Sequence, residues 1–591
     1  MEKINPVLKP VVLGIAAVMS SVTFAEQEPL TIYITSNAVM TVPQTDTPLT
    51  VELDPKAPQQ PIPASDGASF LKNVPGFSVV RKGGTDGDPV LRGLAGSRLP
   101  VLLDGMDFHG GCSSRMDPPT AYVFPESFDV VKVFKGPQTV AYGNGNSAGV
   151  VVFEHSMKAL EPGVSGDASV MLGSFGRKDA VAGVQATGDQ AYLKTALTHS
   201  ESDNYKDGNG TEIHSKYERE SATLIGGYRI DNDTNVELDY VVSRGEAAYA
   251  DRSTDGSQFD RESYGAKLVK ENISPLVKNV TARIYHSYID HVMDNYSLRA
   301  DPAAGQFSVM EVDRETDGFR LSADLALGVS DALKVGVDRR ADGHGSWMAM
   351  MAQKTSEATA NSALASASLT KDYQSQIHGL YGEWTHRLPS NAQLVSGLRA
   401  DFWDADRFNS MPAFSGNNKE TLKSGFIRWE KDLTDLSAKT YVGYGLSERP
   451  MDYWEATKYN GITANSSLDT EKTHQIDAGL LWNSSKAKGS ISAFYAKVDD
   501  YILTYSGSSN SDRVANEAQV MGMGSYYGSG NVQATRYGAE VDVAYQLTPF
   551  MKLTGSAAYV HADNDTHDVP LAQTPPLEVK LGLDYTQGAW T

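Results

Sequence analysis

Val131-Lys-Val-Phe-Lys135-Gly136-Pro137-Gln138 joins a short β-prone run to a Gly-Pro stop, and other short β-prone runs precede it. Phe77 to Val80, Val90-Leu91 and Leu99 to Leu103 are further strand-like pieces separated by Gly-rich turns. Ahead of them, Ser65-Asp66 cap a short helix through Phe70-Leu-Lys-Asn-Val74, which Pro75-Gly76 stop. Together Ser65 to Glu154 predict one compact α+β unit of ordinary small-domain size.

Downstream, from about Gly166 to the end, the texture changes and stays uniform. Segments of about ten residues with period-two alternation recur, among them Ala191-Tyr-Leu-Lys-Thr-Ala-Leu-Thr, Val236-Glu-Leu-Asp-Tyr-Val-Val and Gly489-Ser-Ile-Ser-Ala-Phe-Tyr-Ala. Short polar turns such as Ile230-Asp-Asn-Asp-Thr-Asn235 alternate with longer polar loops, the pattern of a transmembrane antiparallel β-barrel. The balance of 53 Gly and 28 Tyr with a negative mean hydropathy suits a wall in which only alternate residues meet lipid. A soluble sandwich or propeller also shows strands, but needs no α+β unit in front. No stretch after the first 25 residues has the roughly 18 consecutive apolar residues of a membrane helix. A net charge of −21 argues against nucleic acid, which needs a basic surface.

Upstream, Met1 to Ala25 carry Lys3 and Lys9, the apolar run Val11 to Met19, and Thr23-Phe-Ala25 before Glu26. That is a secretory signal, with cleavage expected after Ala25. Export reaches a compartment where disulfides form, yet Cys112 is the only cysteine and makes no internal bridge. Residues 26–63 are extended and rich in Thr and Pro, and read as a tether. Its clearest β-prone segment is Leu30-Thr31-Ile32-Tyr33-Ile34-Thr35, which can add itself to a partner's sheet edge.

The order Asn73-Val-Pro75-Gly76, Arg92-Gly93, Arg98, Val101-Leu-Leu-Asp104-Gly105, Val131 to Gln138, Tyr142-Gly143 and Gly149-Val-Val resembles the plug domain of TonB-dependent outer-membrane receptors. The resemblance implies a barrel of about 22 strands in the bacterial outer membrane, a plug in its lumen, a monomer embedded in the lipid bilayer, and energy delivered by the periplasmic TonB complex to the segment Leu30 to Thr35. The expected domains are therefore a signal peptide (1–25), a tether (26–63), a plug (64–158) and a barrel (159–591). Receptors of this kind finish on a strand that closes against the first. Here the sequence stops at Trp590-Thr591 soon after the strand Glu578 to Tyr585, so the C-terminal strands are expected to be missing.

Inside the plug lies His109-Gly-Gly-Cys112-Ser-Ser-Arg-Met116-Asp-Pro-Pro. A thiol and a thioether four apart share one side of a helical turn, where both sulfurs can reach one soft metal ion. The bland alternative, a buried thiol beside a gap-filling methionine, is ahead on spacing alone. Gly110, Gly111, Pro118 and Pro119 mark the stretch as loop rather than packed core. On the strand Val280 to Arg299, alternation puts His291 and Met293 on the lumen-facing side near the outer mouth. Cys112, Met116, His291 and Met293 form a soft S/N set that fits copper, Cu(I) in particular, better than iron, magnesium or calcium, and zinc seldom accepts thioethers. The pattern Cys-x-x-x-Met with His-x-Met also resembles the TonB-dependent copper receptors, as does the run Gly445 to Glu455.

His344, Met348, Met350 and Met351 suggest a second, outer methionine loop that collects copper. His561 and His567 with their neighbouring aspartates read as a solvated acidic loop. Gly143-Asn-Gly145-Asn-Ser-Ala-Gly149 lacks the lysine and spacing of a phosphate loop, and Thr85 to Asp88 lacks the rest of a calcium loop. No nucleophile-base pair stands out, so an enzyme is not expected. Two other functions compete with copper import: a receptor of the same build for an iron siderophore, cobalamin or a copper chelate, and a copper-binding outer-membrane protein that does not transport.

Overall fold

The computed structural model describes residues 47–57, 64–156, 162–302, 305–351, 354–408, 416–456, 468–506 and 527–587. In the N-terminal unit, β1 (Thr50–Leu53), β6 (Val130–Lys135), β7 (Gly149–Glu154), β4 (Val101–Leu103) and β5 (Met106–Asp107) lie side by side in that order, with only β4 and β7 parallel. β2 (Phe77–Val80) and β3 (Asp88–Leu91) make a separate hairpin. The capped helix forms as Gly67–Leu71, its Asp66 carboxylate accepting the Ser69 N–H at 2.6 Å. β1 falls inside the stretch read as tether. Its Thr-Val-Glu-Leu alternation buries Val51 and Leu53 against the plug core, enough apolar surface to fix the end of that stretch as a strand of the plug.

Among the described residues, the rest of the chain is dominated by one large antiparallel sheet of 19 strands, from β8 (Gly163–Leu172) to β26 (Glu578–Tyr585), against the 22 or so that the resemblance implies. Consecutive strands pair through long, continuous registers. Many strands far exceed the ten-residue segments legible in the sequence: β14 (Val277–Asp294) has 18 residues and β16 (Asp331–Met350) has 20. About ten residues cross a bilayer, so the surplus builds a rim above it. Alternation sorts the two faces. Leu238, Ile284, Leu398, Phe402 and Ile476 stand exposed on the outer face, while Arg283, Tyr285 and Ser287 of β14 are buried on the inner one. No described helix is long and apolar enough to cross a membrane. The apolar outer face is what a bilayer-spanning sheet requires.

The sheet wraps the plug, and buried ion pairs join the two. Arg92 contacts Glu540 at 2.7 Å and Asp477 at 3.0 Å, Lys135 contacts Glu540 at 2.6 Å, and Arg98 contacts Glu471 at 2.6 Å, all among side chains no more than 8 % exposed. Removing one partner of such a pair leaves a buried charge uncompensated, at a cost of about 3–5 kcal/mol. These pairs fix the orientation of the plug against the wall.

Candidate metal centre

The wall half of the centre is set by strand alternation. On β14, Arg283, Tyr285, Ser287, Ile289, His291 and Met293 all face inward and are buried. Val292, between the two predicted ligands, faces the other way and packs with Tyr296, Phe307, Val309 and Ala360, which braces the rim from outside. The neighbouring strand β13 (Asp255–Glu271) carries Gly256 opposite Met293, with a bulge at Ser257. A Cβ on Gly256 would come within 3.2 Å of His291 Cε1 and 3.1 Å of the Tyr249 hydroxyl. Glycine there leaves the space the imidazole occupies.

The plug half is a loop, not the helical turn expected from the Cys-x-x-x-Met spacing. Arg115 N–H donates to the Cys112 carbonyl at 2.9 Å, closing a turn in which Arg115 takes a left-handed φ of 54°. The cause is Asp117, whose buried carboxylate accepts from the N–H groups of Gly111 (2.7 Å) and Cys112 (2.9 Å) and from the Tyr122 hydroxyl (2.7 Å). Side-chain bonds of this kind compete with helical ones, and the two following prolines cannot continue a helix. Other groups hold the backbone from outside the loop. Lys82 donates to the Arg115 carbonyl, the Tyr249 hydroxyl sits between the Asp86 carboxylate at 2.9 Å and the Met116 carbonyl at 3.1 Å, and His344 Nε2 donates to the Gly111 carbonyl at 2.8 Å.

The two halves meet. Cys112 Sγ lies 3.5 Å from Met293 Sδ, and the Cys112 sulfur, a ring nitrogen of His291 and a carboxylate oxygen of Asp117 lie within 4.8 Å of one another. Cys112, Met116, His291 and Met293 are all buried, none more than 6 % exposed, and the three sulfur side chains belong to the large apolar cluster that fills the plug and its contact with the wall. His291 is fully buried, with the Cys112 thiol and the Gln258 backbone as its neighbouring polar groups. Burial pushes the Cys112 thiol up, but the adjacent His291 more than offsets it and holds the thiol below its usual value. The thiolate is the form that ligates metal. Asp117, with both oxygens already accepting hydrogen bonds, orients Cys112 instead.

The remaining predicted positions are separated. His344 is buried on the inner face, its Nδ1 2.5 Å from Asp372 Oδ1 and its ring 3.8 Å from that of Tyr453. Met348 and Met350 are exposed on β16, whereas Met351 packs against the cluster around Val292. The segment Leu30 to Thr35 and the signal sequence lie outside the described residues. His561 pairs with Asp563 at 2.9 Å and His567 with Asn564 at 3.0 Å along one hairpin. Sequence reasoning did not single out Asp117, Tyr249, Gly256 or Asp372. Only Asp117 carried a local signal, the Asp-Pro step of a turn.

Residues 182–591 match the family described as TonB dependent receptor-like, beta-barrel, and residues 43–150 match the TonB-dependent receptor plug domain. Among solved structures, the chain is similar to the copper transporter OprC, with 36 % identity and a TM-score of 0.86 over 93 % of this chain and 84 % of that one. The ferric citrate transporter FecA shares the fold at 16 % identity and a TM-score of 0.68, over 91 % of this chain and 82 % of that one. A hemin receptor of Yersinia pestis is 29 % identical over 141 residues, 21 % of this chain and about a fifth of that receptor's length, 20 %.

Proposed function

The chain belongs to the TonB-dependent receptor family of outer-membrane barrels, and from that premise we propose that it imports copper through Cys112, Met116, His291 and Met293. The observation that carries this reading is the fully buried His291 imidazole beside the Cys112 thiol, which itself lies 3.5 Å from the Met293 thioether. A thiolate, thioethers and one imidazole suit Cu(I) first and Cu(II) second. Similarity to a copper transporter over 93 % of the chain supports the same cargo.

The wall register supports a route of capture. Met293 stands opposite Met310, and Met310 opposite Met348. Directly opposed residues of an antiparallel sheet share a face, so three thioethers run in a row from exposed Met348 through half-buried Met310 to buried Met293. Met350, two positions along from Met348, extends the row outward. Copper lands on these outer sulfurs and moves inward. His344 takes no part as a ligand, because its ring nitrogens already hold Gly111 and Asp372. The TonB complex engages the tether at Leu30 to Thr35 and remodels the plug to release the ion.

The test has two arms. Protein purified from copper-supplied cells holds stoichiometric copper by mass spectrometry, and Cys112→Ala and His291→Ala each reduce it to background. In copper-limited cells, deleting residues 30–35 stops accumulation while leaving the purified protein's copper in place. Metal-free protein that instead binds a ferric siderophore overturns the cargo. Unchanged accumulation in the deletion strain overturns transport in favour of sequestration.

A further inference from the structure

The Gly111–Cys112 peptide unit is gripped on both of its polar ends. Its N–H, on Cys112, donates to Asp117 at 2.9 Å from within the plug. Its carbonyl, on Gly111, accepts from His344 Nε2 at 2.8 Å from the wall. Fixing both ends of one peptide plane fixes its rotation, and that rotation sets where the Cα–Cβ bond of Cys112 points. We propose that His344 is the wall-side positioning residue of Cys112: it sets the thiol against His291 and Met293 without touching the ion. This rests on the copper reading for its purpose, though not for its geometry.

The surroundings of His344 are built for that task. β17 (Thr370–Leu388) pairs with β16 in register up to His344 opposite Tyr373, and then skips so that Gly345 faces Lys371. Asp372 is the extra residue of a β-bulge, a device that re-aims a side chain the strand period would otherwise turn away. Re-aimed, its Oδ1 lies 2.5 Å from His344 Nδ1, and its Oδ2 accepts from the Ser346 hydroxyl at 2.7 Å and the Tyr453 hydroxyl at 3.2 Å. Tyr453 also lies against the imidazole face, with ring centroids 3.8 Å apart. An ordinary core histidine needs no strand irregularity to orient it. Here a bulge, a carboxylate and an aromatic ring converge on one imidazole whose outgoing bond ends one residue before Cys112.

The contact is also the direct link between wall and plug at this peptide. Withdrawing the loop from the wall breaks the Nε2–H···O bond, so the separation of Cys112 from His291 and the loss of this bond are one event.

The experiment compares His344→Ala with His344→Gln, whose amide can still donate to the Gly111 carbonyl. In metal-free protein, the rate at which N-ethylmaleimide alkylates Cys112 should rise at least tenfold in His344→Ala and stay near wild type in His344→Gln. With Cu(I), competition against a chromophoric chelator should show an affinity loss of about 10- to 100-fold in His344→Ala, the range for removing a group that orients a ligand. X-ray absorption should report fewer sulfur neighbours around the remaining copper. Far-ultraviolet circular dichroism and thermal melting of the two variants check that the barrel is intact. Equal alkylation rates in wild type and His344→Ala overturn the proposal, as does a His344→Gln protein that behaves like His344→Ala while melting as wild type. The alkylation arm needs no copper, so a wild-type protein that binds none defeats the cargo reading and leaves this inference to be judged on the thiol alone.

Discussion

The two halves of the centre are made by different physics. His291 and Met293 sit on a strand of 18 residues whose inward face is fixed by pairing on both edges; their common direction follows from the two-residue period alone. Cys112 and Met116 sit on a loop with no period. Their positions follow from Asp117, Lys82, Tyr249 and His344, which reach the loop from 5 to 233 residues away in sequence. The wall half is rigid because the sheet is rigid, and the plug half because four separate side chains hold it. A transporter that must take the ion from one side and release it on the other gains from that asymmetry: one half stays, and the other can let go when its bonds are broken.

The largest effect should come from the half that has no period to fall back on. A Cβ on Gly110 would lie 1.8 Å from the Asp117 carbonyl oxygen, a backbone atom that cannot step aside without moving Met116. Gly110→Ala should therefore abolish stoichiometric copper in the purified protein while leaving the barrel's melting temperature close to wild type. Retained copper would mean that the loop has an alternative path and that Asp117 does not fix it. The matching substitution in the wall is milder. Gly256→Ala presses on the edge of the His291 ring at 3.2 Å, and overpacking of this kind costs about 1–3 kcal/mol. Copper should still bind, with an affinity lower by about tenfold per 1.4 kcal/mol of that strain, measured by chelator competition. If the two variants lose copper equally, the contrast between a tolerant wall and an intolerant loop is wrong.

The same contrast explains what could be read without coordinates. Alternation along Val280 to Arg299 gave the inward pair, and the plug motifs gave the domain that carries the loop; both are local signals. The sheet registers that put Gly256 opposite Met293 and Met310 between Met293 and Met348 are set by pairing between strands, which the period of one strand does not encode. The helical turn assumed for Cys112 to Met116 failed for a specific reason: Asp117 satisfies the backbone N–H groups of Gly111 and Cys112 that a helix would have used differently. His344 looked like a ligand because it precedes three methionines in sequence. The β-bulge at Asp372 turns it into a hydrogen-bond donor toward Gly111, and no spacing rule foretells a bulge. The strand β1 was hidden in a Thr/Pro-rich stretch because four residues carry too little pattern to stand out.

A subtler test of how the halves depend on each other uses the thiol. In metal-free protein, His291 on the wall holds Cys112 on the plug below the ordinary thiol value, against the upward push of burial. A lowered value means the thiolate persists to lower pH, so the midpoint of its ultraviolet absorbance should fall below that of an unperturbed cysteine. In His291→Ala the push of burial remains and the opposing influence is gone, so the midpoint should move to higher pH. An unchanged midpoint would place the imidazole too far from the sulfur to matter, and the converged site with it.

The smallest effect belongs to the outermost sulfur. Met348 stands 60 % exposed, two strands away from Met293 and in line with it through Met310. Its thioether can help a dilute ion reach the site, but it contributes nothing to the ion once bound. Met348→Leu keeps the size and apolar character of the side chain while removing the sulfur. The equilibrium affinity and bound copper should match wild type, and the rate of copper loading at limiting concentration should fall, with a further drop when Met350 is also replaced by leucine. Because exposed methionines on a rim can also serve packing against neighbours, the control is Met351→Leu, whose side chain packs beside Val292 on the other face. If the row is a path, loading slows in the first two variants and not in the third; if all three load alike, the register of sulfurs is incidental and ions reach Met293 directly from the vestibule.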